Sequence, residues 1–524
     1  MNNLLSKMTL IEKVGQLFFP AAFINDSDEN IQKLEDLIKN HHIGGLTFFH
    51  SRLSAATNFE GKKNIVRNDN SATRLKELII HYQSIAKYPL LMSIDAEWGL
   101  VMRVEKTPQY PYAIALGALN DEENNLIFEV GQNTADDLIK VGIKYNLAPV
   151  IDINDNPKNP VIGYRSFGEN REKVTKKALA FYNGMNKNGV LGCLKHFPGH
   201  GNTSVDSHLG LPIIEKTLAE LHEQELYPFK EAIKQNIDSI MVGHLAVPAL
   251  TNGKIVSATL SSEIIQGLLR NELGYKGAII SDALNMKSVS NLYDEKGLLE
   301  WKAFDAGNDI LCFSENVAEG ISKIVELASK ERIDESFEQL LKLKNKVNLF
   351  DSDINLSEKL DFDFEKANQL NQKIANSSIT INRNNRNKIP LNKNQKTAIL
   401  YLYKEKENAF DKEISKNVDV ETFEINENNL SDLISISDKL ESFETIIIAN
   451  FVPSIKPLNN FEINTEVLEF LATILPKENV IYCHFGNPYA LDCIENTEKS
   501  KSLVIGYQHF VEFQIAVAKL LFSN

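Results

Sequence analysis

Short, uninterrupted apolar runs recur along the first two thirds of the chain. They read Gln16 to Phe19, Ile43 to Phe49, Leu90 to Asp95, Leu147 to Asp152, Val190 to His196, Ser239 to His244, Gly277 to Asp282 and Asp309 to Phe313. None alternates polar with apolar residues, so each suits a strand covered on both faces, as in a parallel sheet. Helical patterns lie between them, for example Leu218 to Asn236 and Ser262 to Glu272. Thr9 with Glu12 three residues on forms a capping box that opens the first helix. Eight strand runs alternating with helices predict a (β/α)8 barrel of TIM type over residues 1–350. The Asn-rich stretch 58–70 reads as an inserted loop.

The pattern then changes. From Ser336 a charged helical stretch runs to Lys373, and Asn382 to Lys396 reads as exposed loop, so residues 351–396 are expected to be a helical and loop linker. Further strand runs follow at Thr397–Leu402, Thr445–Ala449, Val480–Cys483 and Leu503–Gly506, with a last helix from Val511 to Leu521. They predict a smaller α/β sandwich domain over 397–524. It carries neither a phosphate-binding glycine fingerprint nor a P-loop.

Composition narrows the function. Of 524 residues, 43% are hydrophobic and 24% charged, proportions of a soluble globular protein. A net charge of −14 with no Lys/Arg block argues against a nucleic-acid partner. Four Cys without metal spacing suggest buried thiols rather than a disulfide framework. Lys7, Glu12 and Lys13 interrupt the N-terminal apolar residues, and no 18-residue apolar span occurs, so the expectation is a cytoplasmic protein with no membrane partner. A chain trimmed after export would read the same way.

Candidate chemistry gathers at the strand ends. Asp95, Asp152, His196, His244 and Asp282 each close an apolar run, and the carboxyl ends of barrel strands share one mouth. The end of the fifth run and the loop leaving it hold Lys195, His196, His200, Asp206 and His208 within fourteen residues. A carboxylate on a strand end, such as Asp282, is rigid enough for a covalent nucleophile. Asp206, two residues before His208, can orient that imidazole as a general acid/base. A zinc site of His196, His200 and His208 is the competing reading. Pro198 and Gly199 break the helix that an H-x3-H pair favours, so no metal and no cofactor are expected.

These residues resemble a known family. Lys195 to Gly201 followed by Asp206-Ser207-His208 is similar to the signature of the β-N-acetylglucosaminidase branch of family-3 glycoside hydrolases. Gly274 to Met286, around Asp282, resembles the nucleophile motif of that family. Asp95 to Arg103 resembles its D-x-E-G-G-x-V-x-R, and Gly163 to Gly168 its G-x-R-S-F-G. The two-domain layout matches its two-domain members. The resemblance implies Asp282 as nucleophile, His208 as acid/base and Asp206 as the residue orienting His208. It implies Asp95, Arg103, Arg165, Lys195 and His196 as sugar-binding residues. His200 is read as a loop brace and His244 as pocket wall. Trp98 departs from the pattern, standing where the family usually has Gly. The implied activity is exo-acting, retaining release of N-acetylglucosamine from cell-wall fragments or chitooligosaccharides. A phosphorylase on the same site and a non-catalytic sugar-binding protein are the alternatives.

Overall fold

The computed structural model describes residues 7–52, 66–203, 210–350, 360–385, 388–404 and 408–523. Its chain forms two compact units: residues 1–110, 127–154 and 169–364 in the first, and 111–126, 155–168 and 365–524 in the second.

In the first unit the strands are β1 (Phe18–Phe19), β2 (Ala21–Phe23), β3 (Gly45–Phe49), β4 (Leu91–Ile94), β5 (Tyr145–Asn146), β6 (Leu191–Phe197), β7 (Ser239–Val242), β8 (Ala278–Ser281) and β9 (Leu311–Cys312). β2 to β8 pair in sequence order, every pair parallel. β1 pairs in parallel with β9, and a bridge between Ile280 and Ile310 joins β9 to β8. β1 and β2 are two halves of one stretch, parted at Pro20. A proline has no N–H for a ladder, so the strand changes neighbours there: β1 faces β9 and β2 faces β3. With that exchange the ring closes as an eight-stranded barrel of TIM type. Its strands are buried throughout except at Ala21, as unbroken apolar runs require.

Two expectations need correction here. The fourth strand lies at Tyr145–Asn146 rather than 147–152. Pro149 interrupts that run, and Val150 keeps only a bridge to Lys195. The single helix expected over 218–236 is two, Leu218–Glu223 and Tyr227–Ile233. Gln224 leaves helical geometry, and Pro228 opens the second helix, where its missing N–H costs nothing.

The second unit holds β10 (Thr380–Asn384), β11 (Thr397–Leu402), β12 (Val420–Ile425), β13 (Thr445–Phe451), β14 (Val480–Phe485) and β15 (Ser502–Ile505), in the order β10-β15-β14-β13-β11-β12. Only β10 is antiparallel among its pairs. Alternate residues of the central strands face two different cores. Leu400, Ile448 and Tyr482 enter one, and Tyr401, Ile447 and Ile481 the other, so helices cover both faces. β10 occupies part of the stretch read as exposed loop. As an edge strand it needs no apolar run, and its polar Asn382 and Arg383 are tolerated there. The helix Phe364–Ser378 also belongs to this unit rather than to a separate linker. The inclusion of 111–126 and 155–168 has no counterpart in the hydropathy pattern: Tyr112 donates its N–H to Gln508 Oε1 (2.9 Å), and Tyr112 and Tyr164 pack on the core of β11, β13 and β14.

One buried charge stands out in the first unit. Lys344, on the helix Lys330–Lys346, is fully buried and donates from Nζ to Gln16 Oε1 and to the Pro89 carbonyl, both at 2.7 Å. Gln16 in turn donates to the carbonyls of His42 and Ile43, so one lysine ties together the starts of three strands. Burial pushes the Lys344 ammonium down to about 7. In the unfolded chain it titrates near the usual lysine value of about 10.4. Between those values the unfolded chain holds a proton that the folded chain lacks, so the folded state gains stability as pH rises through the window. The melting temperature of the wild type should therefore rise relative to Lys344→Met between about pH 7 and pH 10. Parallel pH dependences of the two would contradict it.

Candidate active site

The barrel places the strand-end residues together. At the end of β4, Asp95 accepts from Lys195 Nζ through Oδ1 (2.8 Å) and from Arg103 through Oδ2 (3.1 Å). Lys195, 3% exposed on β6, also pairs with Glu97 at 2.8 Å. Two carboxylates thus meet two cations, and the cluster neutralises itself. Burial, the largest influence, would raise the Asp95 carboxyl, but Lys195 and Arg103 outweigh it and hold it below the ordinary range. The Arg103 guanidinium lies 3.7 Å from the Phe49 ring centroid, which fixes its plane. Its Nε is buried with no acceptor among the described residues. The turn that delivers Arg103 depends on Gly99, whose φ is +100° and whose missing Cβ would lie 2.9 Å from the Pro108 carbonyl. Trp98 is half-buried beside it, and its carbonyl accepts from Tyr110 N.

Asp152 organises the end of β6. Its carboxylate accepts from the His196 N–H on both oxygens (3.1 Å each), from His196 Nδ1 (2.8 Å) and from the His200 N–H (2.9 Å). This fixes the His196 ring with Nδ1 toward Asp152. Gly201 packs so closely that a Cβ would lie 1.6 Å from the Ile153 carbonyl, which presses the loop onto the same segment. His200 is fully buried, its Nδ1 2.7 Å from Thr203 Oγ1 and its ring edge-on to His196 with centroids 5.6 Å apart. Burial and the neighbouring His196 push it down to about 4, so it is neutral at pH 7 and suits a brace.

Asp282 follows β8, which Arg270 and Asp309 anchor at its start: Asp309 Oδ2 accepts from the Ile279 N–H (2.9 Å) and from Arg270 (2.6 Å). Asp282 Oδ1 accepts from the Ala283 N–H at 2.8 Å. Burial would raise its carboxyl, yet His244, His196, that N–H and Lys195 together bring it down to about 2. Asp282 is therefore an ionised, half-buried carboxylate beside basic groups, which is what a carboxylate nucleophile needs. His244 sits after β7 with Nδ1 2.8 Å from Thr259 Oγ1 and Nε2 2.9 Å from the Ala283 carbonyl.

Asp95, Arg103, Lys195, His196 and Asp282 thus all belong to the first unit. Arg165 lies in the second, where its NH1 donates to the Val161 carbonyl at 3.0 Å. Asp206 and His208 lie outside the described residues. Sequence reasoning counted Asp152 among the strand-end candidates without giving it a role, held Glu97 only as part of the Asp95 to Arg103 motif, and did not single out Thr259. Among the described residues, no group of three or more His, Cys, Asp or Glu side chains could hold a metal ion.

A parallel barrel whose strand ends present a fixed carboxylate beside paired acids and bases has the build of a barrel enzyme. Residues 9–343 match the profile of the glycosyl hydrolase family 3 N terminal domain, and the chain belongs to that family. It is similar to Beta-hexosaminidase A of Pseudoalteromonas piscicida, 36% identical over 291 residues that make up 53% of this chain and 47% of that protein. A Beta-hexosaminidase of Neisseria meningitidis serogroup C (strain 053442) is 34% identical over 254 residues, 47% of this chain and 68% of the relative. The match thus spans about half the length of the first relative. Among solved structures, a glycoside hydrolase family 3 beta-N-acetylglucosaminidase from Paenibacillus sp. str. FPU-7 superposes with a TM-score of 0.77 at 27% identity. That match covers 98% of this chain and 97% of the other.

The site yields a stability prediction that needs no substrate. Asp152→Ala leaves two backbone N–H groups and a buried imidazole without their acceptor, and should cost about 3 kcal/mol or more in chemical denaturation. Asp152→Asn, which keeps the shape and one acceptor, should cost less. An Ala variant as stable as the wild type would refute the bracing role.

Proposed function

We propose that the chain is an exo-acting retaining β-N-acetylglucosaminidase that takes terminal N-acetylglucosamine from cell-wall fragments or chitooligosaccharides. The observation that carries this reading is the ionised Asp282 carboxylate, held by the Ala283 N–H at the end of β8. The full-length likeness to a β-N-acetylglucosaminidase at 27% identity supports it.

In the first step an Asp282 oxygen bonds to the anomeric carbon as the glycosidic C–O bond breaks. The leaving oxygen takes a proton from the acid/base, a role that falls to His208 with Asp206 by family resemblance. In the second step water attacks the same carbon and gives its proton to that base. The ester bond breaks as water adds, and its electron pair returns to Asp282. Asp95, Lys195, Arg103 and His196 serve the sugar hydroxyls: the Arg103 Nε has no acceptor among the described residues, and buried polar groups reject ligands without the matching hydroxyl. Arg165 is proposed as a further sugar-binding residue on the family motif alone.

A panel of chromogenic N-acetylglucosaminide and glucoside, chitobiose and a muropeptide disaccharide tests the reading. The expected result is release of free N-acetylglucosamine, with the glucoside poor. Sugar 1-phosphate as main product in phosphate buffer would overturn hydrolysis. Asp282→Ala should still fold and lose at least about 10⁴-fold in kcat. A variant as active as wild type would remove Asp282 from the chemistry.

A further inference from the structure

His244 has hydrogen-bond partners that constrain its protons. The Ala283 carbonyl, 2.9 Å from Nε2, can only accept, so Nε2 carries a hydrogen. Nδ1 lies 2.8 Å from the Thr259 hydroxyl, and that oxygen is also 3.0 Å from the carbonyls of both Val242 and Gly243. A hydroxyl has one proton. If Thr259 aims it at Nδ1, its lone pairs face two carbonyl oxygens at 3.0 Å with no hydrogen between them. If it aims at either carbonyl, the contact with Nδ1 is a hydrogen bond only when Nδ1 is the donor. The second arrangement satisfies every group, and it puts a proton on both ring nitrogens.

A cation there needs an anion, because His244 is fully buried. Asp282 supplies it. The ring is tied to the carbonyl of Ala283, the residue directly after the nucleophile, and the Asp282 N–H donates to the Val242 carbonyl at 3.0 Å. Thr259 and Asp282 thus grip the same residue of β7 from two sides. Among the described residues, Lys195 and His196 on β6, His200 on the following loop and the Cys312 thiol on β9 also interact electrostatically with Asp282.

We propose that His244 is an imidazolium in the resting protein and serves as the fixed counterion of Asp282, making that carboxylate the better leaving group. The inference rests on the glycosidase reading above. Both ring nitrogens are engaged by protein oxygens, so the ring acts through Asp282 as a positioning residue. In the first step the Asp282 charge is consumed as the ester bond forms. In the second the bond breaks and the charge returns, now facing a cation already in place. Carboxylate departure is therefore the step that His244 favours, and the covalent sugar does not accumulate. Sequence reasoning had seen only a pocket wall at this position.

The test has two arms. The first uses no substrate. Protein labelled with ¹⁵N-histidine reports the protonation of each ring nitrogen at pH 7, the His244 signals being identified by their loss in His244→Gln. If that variant does not fold, they are identified by their displacement in Thr259→Ser, which keeps the hydroxyl. Two protonated nitrogens are expected; a neutral ring overturns the proposal, whatever the substrate proves to be. The second arm is kinetic, on an activated aryl N-acetylglucosaminide. His244→Gln should lower kcat about tenfold or more, with a smaller loss in kcat/KM. Intact-mass analysis should find the sugar adduct accumulating on Asp282, and the acid limb of kcat/KM should move up by about one pH unit. Equal losses in kcat and kcat/KM with no adduct would overturn the leaving-group role. Failure of wild type to cleave any N-acetylglucosaminide would sink the glycosidase reading instead, leaving the first arm intact.

Discussion

Buried charges at the barrel mouth have to neutralise one another, and the architecture of the site follows from that requirement. Lys195 sits almost out of contact with solvent, and alone its ammonium would be too costly to keep there. Asp95 and Glu97 flank it, and Arg103 completes the balance. Each of these groups is usable only because β4 and β6 bring them to the same end of a parallel ring. The same economy governs Asp152, which takes the N–H groups of His196 and His200 together with the His196 ring. It also governs Asp282 among its histidines.

The consequence for function is pre-organisation. The carboxylate that would attack is ionised, hydrogen-bonded and carried on a strand end rather than on a loop. Its neighbours are fixed in turn by Thr259 and Asp152, so little has to move for charge to be taken up and returned. The acid/base role rests on the resemblance of Asp206 and His208 to the family motif alone.

Much of the barrel was legible as a pattern. Uninterrupted apolar runs announce buried parallel strands, and seven of the eight overlap the observed ones closely because nothing in those runs competes with a ladder. The fourth run misled, since Pro149 cannot donate and the pairing fell to Tyr145 and Asn146, just before it. β10 and β12 escaped notice because sheet edges need no continuous apolar run. The gathering of 111–126 and 155–168 with the second unit was equally hidden. Nothing local in those residues says which core they will cover, and the Gln508 side chain that meets Tyr112 is almost four hundred positions away.

By itself the sequence determined which segments bury both faces, hence a parallel barrel followed by a doubly wound sheet. It also determined which residue types stand at the strand ends, hence a carboxylate with basic neighbours. Only the tertiary structure decided the pairing: Lys195 with Asp95 and Glu97, Asp152 with His196, and His244 with Thr259 and Ala283. The physical reason is that hydropathy and turn chemistry act between near neighbours in the chain. The charge and proton state of a buried group depend on partners tens of residues away, and those partners come within hydrogen-bond distance only once the ring has closed.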